Sequence, residues 1–168
     1  MEWPWKLIWK IKIPLKVSCF SWLVIRKACL THEKLQRRGI HIWSRCYMCD
    51  KKAEISNHLF LHCLTTVNRW HMLLRILGVS WVMPKKSLDM LKRWEGMSRR
   101  RRSKRDWWRY IPACIWWTFW KERNERSHGG QASSIQKIKM KSLSLLYFWC
   151  KQDMVGEVVS LVNLIGRL

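Results

Sequence analysis

Four potential metal ligands lie within eighteen residues of this chain. Cys46 and Cys49 are separated by two residues, and His58 and Cys63 follow, which gives the pattern C-x2-C-x8-H-x4-C. Two thiolates at this spacing can bind one ion from a single tight turn, and a His and a Cys downstream can complete a tetrahedral shell. Zinc favours three sulfurs and one nitrogen, and a shell closed by four protein ligands is structural rather than catalytic. We therefore predict one structural zinc ion, without which residues 40–65 should not hold their fold.

The fourth ligand has two candidates. His62 lies four residues after His58, so both would share one face if the segment is a helix. Cys63 lies five residues after His58 and can bind the ion only if the helix ends or turns there. Because thiolates bind zinc strongly, we predict Cys63 as the ligand and keep His62 as the alternative.

The chain is strongly basic. It has 33 Lys and Arg against 11 Asp and Glu, a formal net charge of +22 over 168 residues. A field of this size attracts polyanions, which here means RNA or DNA or an anionic membrane surface. Six bases fall within seven residues, and two tryptophans follow that could stack on unpaired nucleotides. The predicted nucleic-acid contacts are Arg99, Arg100, Arg101, Arg102, Lys104, Arg105, Trp107 and Trp108. The alternative for this basic block is a solvated linker or a nuclear-import signal.

No catalytic site is expected. The eleven acidic residues are thinly spread, without the paired carboxylates that hold two magnesium ions in a polymerase. The chain has no Gly-rich phosphate loop and no G-x-S-x-G nucleophile motif. Cys29 and His32 form a C-x2-H pair, but the apolar context of Cys29 favours packing in the core. We therefore predict that this chain is not an enzyme.

Membrane insertion and secretion are not expected either. Lysines at 6, 10, 12 and 16 interrupt the apolar start, which argues against a signal peptide. The longest apolar run, residues 111–120, is too short to span a bilayer. We expect an intracellular protein with reduced thiols, no membrane partner, and nuclear import as a further option. The singly placed Cys19, Cys114 and Cys150 are expected to be buried as small apolar residues.

Apolar spacing predicts a mainly α protein. The predicted helices are 17–29 (with a strand as the alternative), 31–38, 54–62, 64–77, 87–94, 107–126 with a break near Pro112, and 135–151. Gly39 and Gly78 are placed to end two of them. The predicted organisation is a small helical zinc-binding module over residues 3–75, a basic linker over 76–106, and a C-terminal helical segment over 107–168.

Landmarks along residues 3–75 resemble one known family. They are Trp5-x3-Trp9, Ile13-Pro14-x-Lys16, Phe20-x-Trp22, Leu30-Thr31-x3-Leu35, Arg38-Gly39, the two cysteines 46 and 49, Glu54-x3-His58-Leu59-Phe60, Cys63 and Trp70. Their order and spacing are similar to the zinc-binding domain that follows the reverse transcriptase of plant LINE-type (non-LTR) retrotransposons. The resemblance implies that the zinc ligands are Cys46, Cys49, His58 and Cys63.

A second stretch, Trp117-x2-Trp120-Lys-Glu-Arg-Asn124-x-Arg126, resembles a W-x-x-W-K-x-R-N segment common downstream of that domain. An RNase H-like domain follows in many relatives, whereas here His128-Gly-Gly replaces the usual apolar continuation. We therefore expect a fragment of a retroelement polyprotein, without the polymerase or RNase H carboxylates, that contacts nucleic acid non-specifically. The alternative is a protein-interaction or scaffolding zinc module, or a decayed retroelement fragment, that does not bind nucleic acid. The oligomeric state is left open.

Overall fold

The computed structural model describes residues 8–76, 78–100 and 106–153. Helices account for the regular structure of these residues, and none of them forms a strand. In chain order they are α1 (Leu15–Ile25), α2 (His32–Gln36), a π-helical turn (His58–His62), α3 (Leu64–Ile76), α4 (Ser87–Arg100), a 3-10 helix (Asp106–Tyr110), α5 (Ile111–Ser127) and α6 (Ile135–Asp153). The prediction of a mainly α fold is confirmed.

The helix ends follow local backbone chemistry. α1 ends at Ile25, earlier than the predicted Cys29, because Lys27 adopts the left-handed conformation with φ of 52°. The backbone N–H of Ala28 then donates to a carbonyl five residues back, at 2.8 Å, which is the pattern that closes many helices. The chain turns away from α2 and α3 in the same manner at Gly39 (φ 79°) and Gly78 (φ 62°), as predicted. Glycine adopts this conformation without a side-chain clash.

Helix α5 is the centre of the fold. It contacts α1, α3, α6, the π-helical turn and the 3-10 helix. Its first half is apolar on every side, and Ile111, Cys114, Ile115 and Phe119 are fully buried, as expected of a helix surrounded by other elements. The predicted break near Pro112 is a junction instead: the 3-10 helix ends at Tyr110 and the proline occupies the first turn of α5, where no backbone N–H is needed.

Helix α4 lies within the segment predicted to be a basic linker. It is six residues longer than predicted, and Met90, Leu91 and Trp94 on one side are buried. The ring of Trp94 stacks on that of Trp108, with centroids 4.1 Å apart and planes at 16°. Each indole also donates to the other residue's carbonyl oxygen, at 3.1 and 3.4 Å. This part of the segment is therefore packed, while the division of the chain into three units stays a prediction.

Burial differs among the tryptophans and among the singly placed cysteines. Trp70 is fully buried, whereas Trp9 is 43% exposed. Cys114 and Cys150 are buried as predicted, whereas Cys19 is exposed, so that prediction was wrong. None of the described helices is both long and apolar enough to cross a membrane.

Candidate metal centre

The four predicted zinc ligands come together in one cluster. Their donor atoms all lie within 4.8 Å of one another. The Sγ atoms of Cys46 and Cys63 are 4.0 Å apart, and Sγ of Cys49 is 3.3 Å from Nε2 of His58. A tetrahedral zinc ion, with Zn–S of about 2.3 Å and Zn–N of about 2.05 Å, requires edges of roughly 3.8 Å and 3.6 Å. The residues present therefore fit a zinc ion, and four protein donors leave no open position for a reacting water.

Backbone hydrogen bonds shape the turn that carries the first two ligands. The N–H of Cys46 donates to the carbonyl of Lys52, and the N–H of Asp50 donates to the carbonyl of Cys46, both at 2.8 Å. Asp50 adopts the left-handed conformation, with φ of 54°, which Asp tolerates better than most residues. We call residues 46–52 the zinc knuckle. Its closed backbone holds both thiols on one side of the turn.

A π-helical turn decides between His62 and Cys63. In an α-helix of about 3.6 residues per turn, a residue five positions on lies roughly 140° around the axis from the first. Here the N–H of Cys63 donates to the carbonyl of His58 at 2.6 Å, a five-residue closure that widens the turn. Cys63 thereby joins His58 in the cluster, whereas His62 is exposed and its Nε2 lies 3.3 Å from the carbonyl oxygen of Lys85.

Helix α3 completes the hydrogen bonding of that turn. A widened turn leaves carbonyls without the usual helical N–H partners, and buried carbonyls need donors. Oγ1 of Thr66 donates to the carbonyl of Leu59 at 2.8 Å, and Nε1 of Trp70 donates to that of Phe60 at 3.0 Å. Both donors are fully buried. The position of Cys63 thus depends on side chains beyond the ligand motif itself.

The ligands also perturb one another's protonation. A hydrogen bond from Cys46, with a further one from His58, lowers the pKa of Cys63 to about 3. The hydrogen bond to Cys63 and burial raise the pKa of Cys46, and the hydrogen bond to Cys63 outweighs burial in raising the pKa of His58. These shifts favour loss of the first proton from Cys63 and retention of protons on Cys46 and His58. Zinc binding must release those protons, which makes the affinity depend on pH.

Glu54 links the knuckle to the rest of the fold. Its side chain is fully buried, and Oε1 accepts hydrogen bonds from Nη2 and Nε of Arg123, at 2.7 and 3.0 Å. The backbone N–H of His32 donates to the same oxygen at 3.2 Å, and the N–H of Tyr47 donates to Oε2 at 3.4 Å. One carboxylate thus ties together the start of α2, the knuckle and α5. The sequence alone led us to assign no role to Glu54. Its position between the metal ligands Cys49 and His58, in a chain with few acidic residues, could have indicated a structural role.

Arg126, one turn further along α5, contacts the knuckle backbone. Its Nη1 donates to the carbonyls of Tyr47 and Met48, at 3.1 and 3.4 Å. The guanidinium of Arg123 also lies 5.2 Å from the ring centroids of both Tyr47 and Trp120. Arg123 and Arg126, both in the stretch that resembles the W-x-x-W-K-x-R-N segment, therefore bind α5 to the zinc knuckle.

Glu122 fixes the junction between α5 and α6. It is buried, and its Oε1 accepts hydrogen bonds from Nε of Arg126 at 3.0 Å and from the backbone N–H of Ser133 at 2.7 Å. Nζ of Lys141 lies 3.6 Å from Oε2. Burial by itself would raise the pKa of this carboxyl, but the hydrogen bonds from Ser133 and Arg126 outweigh it and the net pKa is lowered. The ionised Glu122 carboxylate is therefore the form that binds Arg126 of α5 and the Ser133 N–H before α6.

The predicted nucleic-acid contacts are only partly described. Residues 101–105, which include Arg101, Arg102, Lys104 and Arg105, lie outside the described residues, as do the side chains of Arg99, Arg100 and Trp107. Trp108 is only 6% exposed. Its ring stacks on that of Trp94, which leaves little of it accessible to a base, so its role in stacking on nucleotides stays a prediction.

The Cys29–His32 pair packs in the core, as predicted. Both residues are buried, and burial raises the pKa of the Cys29 thiol to about 12. Such a thiol carries almost no thiolate at neutral pH and is a poor nucleophile.

Comparison with known proteins agrees with this centre. Residues 1–70 match the family described as zinc-binding in reverse transcriptase. The chain is also 24% identical, over 132 residues and 79% of its length, to an Arabidopsis thaliana protein named "Putative ribonuclease H protein", and it spans 21% of that protein. No solved structure matches the chain. The matched family is defined by metal binding and the relative is a plant protein, in line with an origin in a plant retroelement. Residues 1–70 are therefore similar to the zinc-binding domains of reverse transcriptases, and Cys46, Cys49, His58 and Cys63 form a donor set that fits one structural zinc ion.

Proposed function

We propose that this zinc-stabilised module holds RNA or DNA for a retroelement protein, through contacts of its positive surface with the phosphate backbone. The proposal rests on the distribution of charge, because several acidic side chains are buried or paired whereas many basic side chains face solvent. Glu54 and Glu122 are both buried in ion pairs, so their charges do not reach the solvent. Two exposed or half-exposed carboxylates, Glu33 and Asp50, lie beside Arg37 and Arg45.

Many basic side chains, by contrast, face solvent. The exposed ones in the described part of the chain include Lys51, Lys52, Lys85, Lys86, Lys92, Arg93, Lys121 and Lys137. With a formal net charge of +22 over the whole chain, the outer field is strongly positive. Such a field binds phosphates with little regard to sequence, and the affinity falls steeply with salt because counterions are released. The six bases between Arg99 and Arg105 are proposed to supply much of this contact.

Binding to oligonucleotides at two salt concentrations tests the proposal. The zinc-loaded chain is titrated against two unrelated 20-nucleotide single strands, at 50 and at 200 mM salt, by fluorescence anisotropy. If about six phosphates are contacted, the affinity falls roughly 300-fold between these concentrations and is similar for both sequences. A variant with glutamine at the six basic positions 99–102, 104 and 105 is expected to bind more weakly and with a shallower salt dependence. Absent or salt-independent binding would overturn the proposal and favour a protein-interaction or import role for the basic block.

A further inference from the structure

The loop between α2 and the zinc knuckle presents one tryptophan almost entirely to solvent. Trp43 is 93% exposed, more than any other large apolar side chain in the described part of the protein. Residues 40–44 of this loop, with Gln36 and Gly39 at the end of α2, line an open cavity of about 540 Å³. Tryptophan is ordinarily well buried in folded proteins. An indole displayed at the edge of a cavity is therefore a candidate binding element.

Hydrogen bonds hold this loop in a defined shape. Nε2 of Gln36 donates to the carbonyl of Ile42 at 2.8 Å. The N–H of Ile40 donates to the carbonyl of Leu35 at 3.1 Å, and the N–H of Arg45 donates to the carbonyl of Trp43 itself at 3.0 Å. The next residue, Cys46, is a zinc ligand. Trp43 is thus presented between the end of a helix and a metal-fixed turn, which lowers the entropy cost of binding through it.

Basic residues flank the loop along the chain. Residues 36–52 contain five basic side chains and a single carboxylate, Asp50; the five are Arg37, Arg38, Arg45, Lys51 and Lys52, and all are exposed. Arg45 lies two residues from Trp43, so their Cα atoms are within about 7 Å of each other. The hydrogen bond between the Cys46 N–H and the Lys52 carbonyl, at 2.8 Å, brings the end of the knuckle beside its start. An exposed aromatic ring bordered by cations complements a polyanion with accessible bases.

We propose that Trp43 stacks on a base of single-stranded RNA or DNA, while Arg45 and the neighbouring cations contact the adjacent phosphates. Stacking on aromatic side chains combined with a basic surface is how proteins bind single strands without sequence preference. A duplex hides the faces of its bases inside the stack, so the site selects single strands. This inference rests on the proposed function and adds to it a location and a preference for unpaired nucleic acid.

Substitution of Trp43 tests the inference. Trp43→Ala, Trp43→Phe and the control Phe148→Ala, a 54% exposed aromatic on α6, are compared as zinc-loaded proteins with 20-nucleotide single-stranded RNA, single-stranded DNA and duplex DNA. Trp43→Ala is expected to weaken single-strand binding by about 5- to 150-fold, the range for one stacked base. The salt dependence and the duplex affinity should not change, because no charge is removed. Trp43→Phe should restore most of the affinity, and Phe148→Ala should bind like the wild type. The RNA and DNA arms show which strand the site takes.

The outcomes separate this inference from the proposed function. Salt-dependent binding by the wild type that Trp43→Ala leaves unchanged would refute the stacking site alone. An equal loss on duplex and single strand would also refute it. If the wild type binds no nucleic acid, both the proposed function and this inference are overturned. Zinc content and circular dichroism of Trp43→Ala should match those of the wild type, since the side chain contributes little to the core.

Discussion

The buried pair of Glu54 and Arg123 offers the strongest test of how this domain is held together. Arg123→Met keeps most of the side-chain volume but removes the guanidinium, and with it the hydrogen bonds at 2.7 and 3.0 Å to Oε1 of Glu54. The carboxylate then stays fully buried with only the backbone N–H groups of His32 and Tyr47 as partners. Removing one partner of a buried ion pair costs about 3–5 kcal/mol, because the other charge is left uncompensated. We expect a loss of that size in the free energy of unfolding.

The same substitution should weaken zinc binding. Tyr47 lies between the ligands Cys46 and Cys49, and its N–H donates to Glu54. Loss of groups that orient a metal site typically lowers metal affinity by about 10- to 100-fold, and we expect at least about tenfold here. Urea unfolding followed by circular dichroism gives the stability, and competition with a chelator gives the zinc affinity. Lys121→Met, an exposed change on the same helix, is the matched control and should shift stability by less than about 0.5 kcal/mol.

A double-mutant cycle isolates the pair itself. Glu54→Gln alone leaves the guanidinium buried without its charged partner, and it is expected to be destabilising as well. The double variant Glu54→Gln with Arg123→Met leaves no unpaired charge at this position, so its loss should be clearly smaller than the sum of the two single losses. The reasoning is refuted if Arg123→Met unfolds within about 0.5 kcal/mol of the wild type, or if the two single losses add.

Four further substitutions test other parts of the structure. His58→Ala should abolish stoichiometric zinc binding in metal analysis, while His62→Ala should retain one zinc per chain; the reverse result would contradict the π-helical turn. Since the folded pKa of Glu122 is lowered, its stabilisation is fully present above its ordinary pKa of about 4.5 and is lost as pH falls through the folded value. Glu122→Gln should therefore be less stable than the wild type by about 1.5–3 kcal/mol at pH 7, and the gap in urea unfolding should narrow below pH 4.5; a gap independent of pH would count against ionised Glu122. Trp108→Ala should cost about 3–5 kcal/mol in thermal or urea unfolding without changing the nucleic-acid affinity of the folded protein, whereas a specific loss of binding would support Trp108 as a contact.

The metal ligands could be predicted from sequence because their chemistry is local. Cys46 and Cys49 need only a tight turn to face one ion, and the preference of zinc for thiolate favoured Cys63 over His62. Helix ends at Gly39 and Gly78 were also predictable, since glycine adopts the left-handed conformation at little cost. The length of α4 could not be predicted. Its last turns are formed by the mostly polar residues after Trp94, where the apolar spacing that indicates a helix is lost.

What the sequence by itself determined is the donor set, the mainly α character and the positive charge, all of which follow from residue type and short spacing. Only the tertiary structure decided that α5 packs on the zinc knuckle through Arg123 and Arg126, that Trp108 belongs to the core, and that Trp43 faces solvent. These outcomes depend on contacts between residues up to 79 positions apart. A tryptophan carries the same side chain in a core as on a surface, and the packing of its neighbours decides which role it has.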